Sequence, residues 1–292
     1  MKIIWHLIQR SRHDGCTGLA GMIAYNFFLA LPIVLILAAT VLALLPVGDT
    51  VSDITGQLSG LVPADVLSLI SGVLRRTLRH GMETVPTLVF SFLGALYVLN
   101  NGYAGLISSL NRINKFDETR RWLRVRLQAL ILSVVASIFL ITALAMALVA
   151  PHIVDALSND REFNLTAGLW FDRLRWPAIV ILAVVGIEST YRYAPCGRLK
   201  FGLLSPGTVF AAGAWLMATL GFGFYVNHYS TYQNVYGSLG SVIVLLTWMW
   251  ISAMTFLIGA EINVMWKEWR ETRKNREPET RSSLKDSPQL IK

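Results

Sequence analysis

Two glutamates, Glu188 and Glu261, lie inside long apolar segments of the chain. A carboxyl group in apolar surroundings can carry a proton or hold a cation, because withdrawal from water disfavours its unpaired charged form. In a lipid bilayer such a side chain costs about 2.5 kcal/mol or more, so it normally faces a bundle interior or a wet cavity. Both glutamates are therefore candidates for a proton or cation pathway.

Each glutamate also has a structural interpretation. Glu188 stands four residues before Arg192, a spacing that allows a neutralising ion pair on one helical face. Glu261 could instead accept hydrogen bonds from the backbone at the end of a neighbouring helix. The sequence alone leaves the functional and structural interpretations open, and Arg192 belongs to the candidate pathway with the glutamates.

Further polar side chains lie at comparable or slightly deeper levels of two other apolar segments. They are Tyr25, Asn26, Asn100 and Asn101. Together with the glutamates they predict one polar cluster that opens to the cytoplasm. The paired Asn100 and Asn101 have an alternative role as interhelical contacts, which contribute about 0.6 kcal/mol each in membranes.

Six apolar segments must position these side chains. They cover residues 19–45, 85–110, 127–150, 177–194, 204–227 and 240–266. Each reaches or approaches the ~20 residues that a helix needs to cross a ~30 Å hydrocarbon layer. Apolar residues make up 54% of the chain and charged residues 15%, whereas soluble domains carry roughly 25% charge. The sequence therefore predicts an all-α polytopic membrane protein with six transmembrane helices.

The basic residues predict an orientation. Most of the 26 Lys and Arg residues lie in the N-terminal arm, the gaps after the second and fourth segments, and the C-terminal tail. By the positive-inside rule both termini are cytoplasmic, and the gaps at 46–84, 151–176 and 228–239 face outward. The net charge of +8 then reflects attraction to the anionic inner leaflet. We expect membrane lipids, and no nucleic acid, as partners.

The chain divides into a membrane domain at 19–266 and two flanking regions. Residues 1–18 predict a cytoplasmic interfacial segment, and residues 267–292, rich in charge, Ser and Pro, predict a disordered tail. The insert at 48–82 has apolar residues spaced near 3.6 and predicts two amphipathic outward-facing helices between the first and second segments. These helices either pack over the mouth of the bundle or act as a gate. The gap at 151–176 is polar and predicts short helices.

Some small or cyclic residues indicate bent or closely packed helices. Pro32 lies inside the first segment and removes a backbone hydrogen bond there, which membrane proteins tolerate at kinks or beside cavities. Gly207, Ala211 and Ala214 form a stripe on the fifth segment that suits close contact with another helix.

The sixth segment is preceded by a turn. Tyr236, Gly237 and Gly240 form this turn, in which glycine allows backbone geometry that other residues resist. Trp248 and Trp250 then lie on opposite sides of the segment, because successive helical residues are about 100° apart.

Enzyme motifs are absent from the sequence. The five histidines are isolated and show no HxH or HExxH spacing for zinc. There is neither a GxxxxGK[ST] phosphate loop nor a GxSxG nucleophile elbow. We therefore predict no enzymatic activity, no catalytic residue, no metal and no cofactor.

Five stretches of sequence carry a family resemblance. They are AYNFFLALPIVLIL from Ala24, SLNRINKFDETRRWLRVRL from Ser109, YRYAP from Tyr191, SPG from Ser205 and YGSLGSVIVLLTWMWISAMTFLIGAEIN from Tyr236. Over residues 15–268 the chain resembles the YihY/BrkB family of bacterial inner-membrane proteins, also described as UPF0761-type. The last stretch is specific, because a Tyr-Gly turn, a Trp-containing helix and a Gly-Ala-Glu end occur in fixed register.

The resemblance implies six membrane helices in the bacterial inner membrane. Members of the family have been labelled ribonuclease BN, and one branch is linked to virulence. The nuclease label finds no support here, since the chain lacks the histidines of a metallo-hydrolase. The family-motif positions, structural candidates first, are Tyr25, Pro32, Asn111, Arg112, Tyr191, Pro195, Gly207, Tyr236, Gly237, Gly259 and Glu261.

Two classes of function follow. The first is a transporter or exporter of a lipid or an amphipathic small molecule, driven without ATP and using the buried glutamates as proton or cation sites. The second is a non-transporting membrane scaffold for envelope assembly or virulence, which would bind an envelope partner or a second copy of the chain. Internal repeats, which many transporters carry, are not evident between the two halves.

Overall fold

The computed structural model describes residues 2–43, 71–72, 84–148, 161–197, 204–228 and 238–285. Within these ranges the chain contains no β-strand, and besides the helical pair 71–72 it forms seven α-helices. They are α1 (Lys2–His13), α2 (Cys16–Ala43), α3 (Thr84–Ile113), α4 (Trp122–Leu148), α5 (Arg161–Tyr193), α6 (Pro206–His228) and α7 (Ser238–Lys285). The predicted all-α class is confirmed.

The helix ends follow local chemistry. Gly15, with φ of 70°, makes the left-handed turn between α1 and α2, a conformation that glycine adopts without steric cost. Lys115, with φ of 55°, follows the end of α3. α6 begins at Pro206, whose fixed φ suits the first helical position, directly after Ser205, a residue type preferred as an N-cap.

The six long helices form a ring. Each of the helices α2 to α7 packs against the next one in chain order, and α7 closes the ring against α2. α7 also contacts α3, and the short helix α1 lies against α2 and α7. Because consecutive helices run in opposite directions, the starts of α2, α4 and α6 meet the ends of α3 and α5 and the part of α7 around Glu261.

Four helices contain a segment that is long and apolar enough to cross a membrane, judged on the described residues alone. These segments are Cys16–Val34, Trp122–Phe139, Pro206–Tyr225 and Val242–Arg273, in α2, α4, α6 and α7. Each of the six predicted segments coincides with one long helix. The count of six membrane crossings stays a prediction.

Two helices extend beyond the predicted segments. α5 begins at Arg161 and includes Pro177, so part of the gap predicted to hold short helices belongs to one continuous helix. α7 continues through residues 267–285, where the sequence predicted disorder. Lys, Glu and Arg are good helix formers, and residues 267–277 contain no Gly or Pro, so nothing local stops this helix directly after its apolar part.

Some predictions concern residues outside the described ranges. The outward-facing insert at 48–82, apart from residues 71–72, lies outside them, and so do Tyr236 and Gly237. Pro32 lies within α2, which continues on both sides of it. Gly240 is buried in the first turn of α7.

Candidate functional site

One end of the ring collects the described ion pairs, and we call it the basic end. It is marked by the side chains of Arg10, Arg112, Arg120, Arg126, Arg192 and Lys267. Trp250 connects α7 to α2 there, since its Nε1 donates to the Thr17 carbonyl at 3.2 Å. Most of the buried apolar residues also pack near this end, among them Ile107, Leu110 and Leu257.

Glu261 of α7 is fully buried at the basic end, with 0% of its surface exposed. Its charge partner is Arg10, whose Nε lies 2.9 Å from Glu261 Oε2. The Cys16 thiol, at the start of α2, donates to Glu261 Oε1 at 3.7 Å. The partners of Glu261 therefore come from α1 and α2, and the predicted bond to a helix-end backbone is not among its described contacts.

Arg10 also binds a second glutamate on α7. Its Nη1 and Nη2 donate to Glu268 Oε2 and Oε1 at 2.7 and 3.1 Å, a two-bond arrangement that favours defined geometry. Asp14, which follows α1, is buried and contacts Glu261, and its Oδ1 lies 3.0 Å from His13 Nδ1. The Arg10 guanidinium therefore pairs with both Glu261 and Glu268.

Glu188 of α5 is also buried, with 6% of its surface exposed. Its Oε2 accepts hydrogen bonds from Ser205 N at 3.0 Å, Ser205 Oγ at 2.7 Å and Thr208 Oγ1 at 2.6 Å. The donors belong to Ser205, directly before α6, and to Thr208 in its first turn, where free N–H groups and the helix dipole favour a negative charge. The interpretation proposed for Glu261, a bond to a helix end, applies to Glu188.

Two further side chains complete the surroundings of Glu188. Arg192 Nη2 lies 3.6 Å from Glu188 Oε1, so the structure contains the ion pair indicated by the i to i+4 spacing. Asn263 of α7 donates to Ser205 Oγ at 3.0 Å and accepts from Gly207 N at 2.7 Å. The network therefore connects α5, α6 and α7.

A close helix crossing supports this network. A methyl group added at Gly259 of α7 would lie 2.5 Å from Tyr191 Oη, 2.6 Å from Gly207 O and 2.8 Å from Ala211 Cβ. Tyr191 is buried, and its hydroxyl donates to the Phe256 carbonyl at 2.5 Å. The small-residue stripe on α6 thus lies directly against a glycine of α7.

Asn100 and Asn101 join α3 to α4, away from the glutamates. Arg126 Nη1 donates to Asn101 Oδ1 at 2.6 Å and to Asn100 Oδ1 at 3.3 Å, and Asn100 Nδ2 donates to the Arg126 carbonyl at 2.8 Å. These are interhelical contacts of the kind given as the alternative for the paired asparagines. The functional interpretation of the two residues stays a prediction.

Tyr25 and Asn26 do not join the glutamates. Tyr25 is 58% exposed on α2, and Asn26 Nδ2 donates to the Met22 carbonyl of its own helix at 2.8 Å. The prediction of one polar cluster is therefore wrong for the described residues, which form separate groups. Depth along a helix is readable from sequence, whereas the direction in which each side chain points depends on how the ring closes.

The loop between α3 and α4 ties three helix ends together. Asn111 Nδ2 donates to Glu118 Oε2 at 2.7 Å, and Asn111 Oδ1 accepts from Cys196 N at 2.7 Å. Arg120 binds Glu118, with Nη2 2.7 Å from Oε2, and reaches the Ala194 carbonyl at 3.4 Å. Hydrogen bonding from Arg120 lowers the pKa of the Glu118 carboxyl to about 2.

The remaining motif residues occupy distinct positions. Pro195 is buried next to this loop, and Arg112 is exposed with its guanidinium close to Gly15. Trp248 Nε1 donates to Thr219 Oγ1 of α6 at 3.3 Å, whereas Trp250 contacts α2. The opposite placement of the two tryptophans on α7 is confirmed.

Sequence reasoning missed the residues that hold the two glutamates. Arg10, Ser205, Thr208 and Asn263 were not singled out as partners. Ser205 carries a usable signal, because Ser followed by Pro is typical of a helix start. Arg10 carries none, since its partner on α7 is distant in sequence. Among the described residues no group of three or more His, Cys, Asp or Glu side chains is arranged to hold a metal ion.

A ring of long apolar helices, with its described ion pairs gathered at one end, defines an integral membrane protein. The family model described as Virulence factor BrkB matches residues 7–283. The chain belongs to this BrkB family, as its sequence motifs indicated.

Relatives of this chain carry two kinds of name. The ribonuclease-like protein YfkH of Bacillus subtilis is 29% identical over 268 residues, which cover 91% of this chain and 95% of that protein. A UPF0761 membrane protein of Vibrio vulnificus is 24% identical over 281 residues, covering 91% of this chain and 84% of the relative. Another from Xanthomonas campestris is 32% identical over 101 residues, 34% of this chain and 24% of the relative. No solved structure matches the chain.

Proposed function

We propose that this protein is a transporter of the bacterial inner membrane that moves a lipid or an amphipathic small molecule without ATP. The observation that carries the proposal is Glu261, a fully buried carboxylate on a long apolar helix. Its charge partner, Arg10, belongs to α1, a short helix outside the ring. Because Arg10 lies on this peripheral helix, the ion pair with Glu261 can break while the ring of helices stays intact.

The orientation is part of the proposal. The basic end faces the cytoplasm, and both termini lie on that side. The concentration of Lys and Arg there supports this orientation through the positive-inside rule.

The two glutamates have different roles in this proposal: Glu188 holds helices together, and Glu261 responds to movement of α1. The bonds around Glu188 link α5, α6 and α7 into one body. In contrast, α1 holds Glu261 and Glu268 through a single guanidinium. Displacement of α1 would withdraw Arg10 and admit water to Glu261. Proton uptake there would couple the cytoplasmic opening of the ring to a gradient.

A non-enzymatic, non-ATP mechanism is part of the same proposal. The sequence contains no phosphate-binding loop and no nucleophile elbow, which an ATPase or a serine hydrolase of those classes needs. The word ribonuclease in the name of the Bacillus subtilis relative describes that protein. Ribonuclease activity is not proposed for this chain.

A second candidate is a membrane scaffold that does not transport. The observation that favours it is the structural use of Glu188, whose Oε2 accepts three hydrogen bonds that hold α5 against α6. In that case Glu261 would likewise only anchor α1. The binding partner would be an envelope protein or a second copy of the chain.

Transport can be tested with purified full-length protein in phospholipid vesicles. We would measure movement of a fluorescent phospholipid between leaflets under an imposed proton gradient, and identify co-purifying molecules by mass spectrometry. Glu261→Gln removes the ionisable group with little change in shape. Glu271→Gln is the matched control, because Glu271 is exposed on the same helix.

We expect gradient-dependent movement with the wild type and the Glu271→Gln variant, and its loss with Glu261→Gln. We also expect a specific lipid or metabolite that co-purifies with the first two proteins only. Equal leaflet movement in all vesicles, including protein-free ones, together with bulk phospholipid alone in every preparation, would reject transport in favour of the scaffold.

A further inference from the structure

The start of α4 exposes arginines that have no acidic partner. Arg121 and Arg124 are exposed, and neither forms an ion pair with any described residue. Glu118 in the preceding loop is bound to Arg120 and Asn111. At this part of the basic end the positive charge is therefore not neutralised within the described part of the chain.

Below these arginines α4 exposes a continuous apolar stripe. Its members are Leu123, Leu127, Ile131, Val134 and Ile138, with exposures of 70, 56, 55, 40 and 55%. Their spacing of four, four, three and four residues keeps them on one face of the helix. The stripe runs about 22 Å along the helix axis at 1.5 Å per residue.

Arg124 is aligned with the stripe, and Arg121 directly precedes the helix. At about 100° per residue, Arg124 lies at the edge of the stripe, one position after Leu123 and three before Leu127. Trp122, which is 70% exposed, stands beside them, and Trp is the residue type enriched at the level of lipid headgroups. A surface with arginines at one end of an apolar stripe complements a molecule with an anionic headgroup and hydrocarbon tails.

We propose that this face of α4 is a binding site for an anionic phospholipid. Arg121 and Arg124 bind the phosphate, and an acyl chain lies along Leu123, Leu127 and Ile131. A nucleic acid or an acidic peptide would satisfy the arginines, but neither would cover an apolar stripe of this length. The inference goes beyond the proposed function, because the site exists whether or not the protein transports.

Native mass spectrometry of the full-length protein in detergent tests the site. The probes are dioleoyl phosphatidylglycerol and, as the zwitterionic reference, dioleoyl phosphatidylcholine. The variant is Arg121→Gln/Arg124→Gln. The control, Arg270→Gln/Arg273→Gln, removes the same charge from two exposed arginines on α7. All substituted side chains are exposed, so melting temperatures should match the wild type.

We expect phosphatidylglycerol to bind the wild type and the α7 control more tightly than phosphatidylcholine. The α4 variant should bind it about 30-fold more weakly, since basic groups near a lipid surface contribute roughly additively. Equal weakening in both variants, or in neither, would overturn the site. Displacement of the lipid by glycerol phosphate, which has the headgroup charge without acyl chains, would overturn the role of the stripe.

Discussion

Glu188 and Glu261 lie at the same end of the ring and are both nearly inaccessible to water, at 6 and 0% exposure, but they obtain their partners differently. Glu188 accepts three bonds from neutral donors at the start of α6 and faces Arg192 on its own helix. Glu261 depends on Arg10, which belongs to a short helix outside the ring.

The difference means that the surroundings of Glu188 are fixed by the ring, whereas the pairing of Glu261 depends on the position of α1. The donors to Glu188 are held by the same helices that form the ring, so its environment persists as long as the fold does. The charge pairing of Glu261 lasts only while α1 is docked. A buried ion pair contributes little net stability, yet loss of one partner is strongly destabilising because the other charge stays buried.

The largest test of this comparison is the removal of Arg10. We expect Arg10→Met to lower the free energy of unfolding by about 3–5 kcal/mol, because Glu261 loses its charge partner in a dry site. Denaturant unfolding in detergent measures the change. Arg12→Met is the control, since Arg12 is exposed on the same helix.

The double variant Arg10→Met/Glu261→Met sharpens the result. It removes both charges and should recover most of the lost stability, as expected for coupled neighbours. If Arg10→Met costs no more than Arg12→Met, α1 does not hold Glu261 and the contrast with Glu188 disappears.

The next test concerns the crossing beside the Glu188 network. Gly259→Ala places a methyl group against Tyr191, Gly207 and Ala211, and such overpacking costs about 1–3 kcal/mol. At Gly213 of α6, nothing lies within 4 Å of an added methyl, so Gly213→Ala should be neutral or stabilising by up to about 1 kcal/mol. Thermal unfolding of the two variants decides whether the crossing is as tight as described.

A smaller effect is expected at the cap of α6. Ser205→Ala removes the hydroxyl that donates to Glu188 and accepts from Asn263, at a cost of about 1 kcal/mol. The control Thr247→Ala removes a hydroxyl that bonds only within its own helix, to the Ile243 carbonyl. Equal unfolding temperatures for the two variants would show that Glu188 does not rely on α6.

The smallest effect belongs to the loop that ties the helix ends together. Glu118→Gln should cost less than about 1 kcal/mol, because both side chains of the pair with Arg120 are partly exposed to water. Arg120 lowers the pKa of Glu118 to about 2 from its ordinary value of 4.5. The contribution of a carboxyl with a lowered pKa is complete above its unfolded-state pKa and declines as the pH falls towards the folded-state value.

Unfolding curves from pH 7 to pH 2.5 measure this dependence. The wild type should exceed Glu118→Gln in stability by a constant amount above about pH 5, and the difference should shrink below pH 4.5. A difference that grows as the pH falls would contradict the assigned pairing.

The sequence predicted the architecture better than the site. Apolar segments such as 204–227 fixed the long helices, and the i to i+4 spacing indicated the contact between Glu188 and Arg192. Prediction failed for the tail directly after Trp266, where composition suggested disorder but residues 267–277 contain no Gly or Pro and α7 continues through them. It also failed for Tyr25, which shares the predicted depth of the glutamates but is exposed on α2.

By itself the sequence determined that this is an all-helical membrane protein of the BrkB family, with two carboxylates in apolar surroundings. These properties depend on composition, helical periodicity and local motifs, which are readable along the chain. Only the tertiary structure decided that Glu188 binds the start of α6 and that Glu261 binds Arg10 of α1. These partners come from different helices, and closure of the ring, a property of all its interfaces together, brings them into contact.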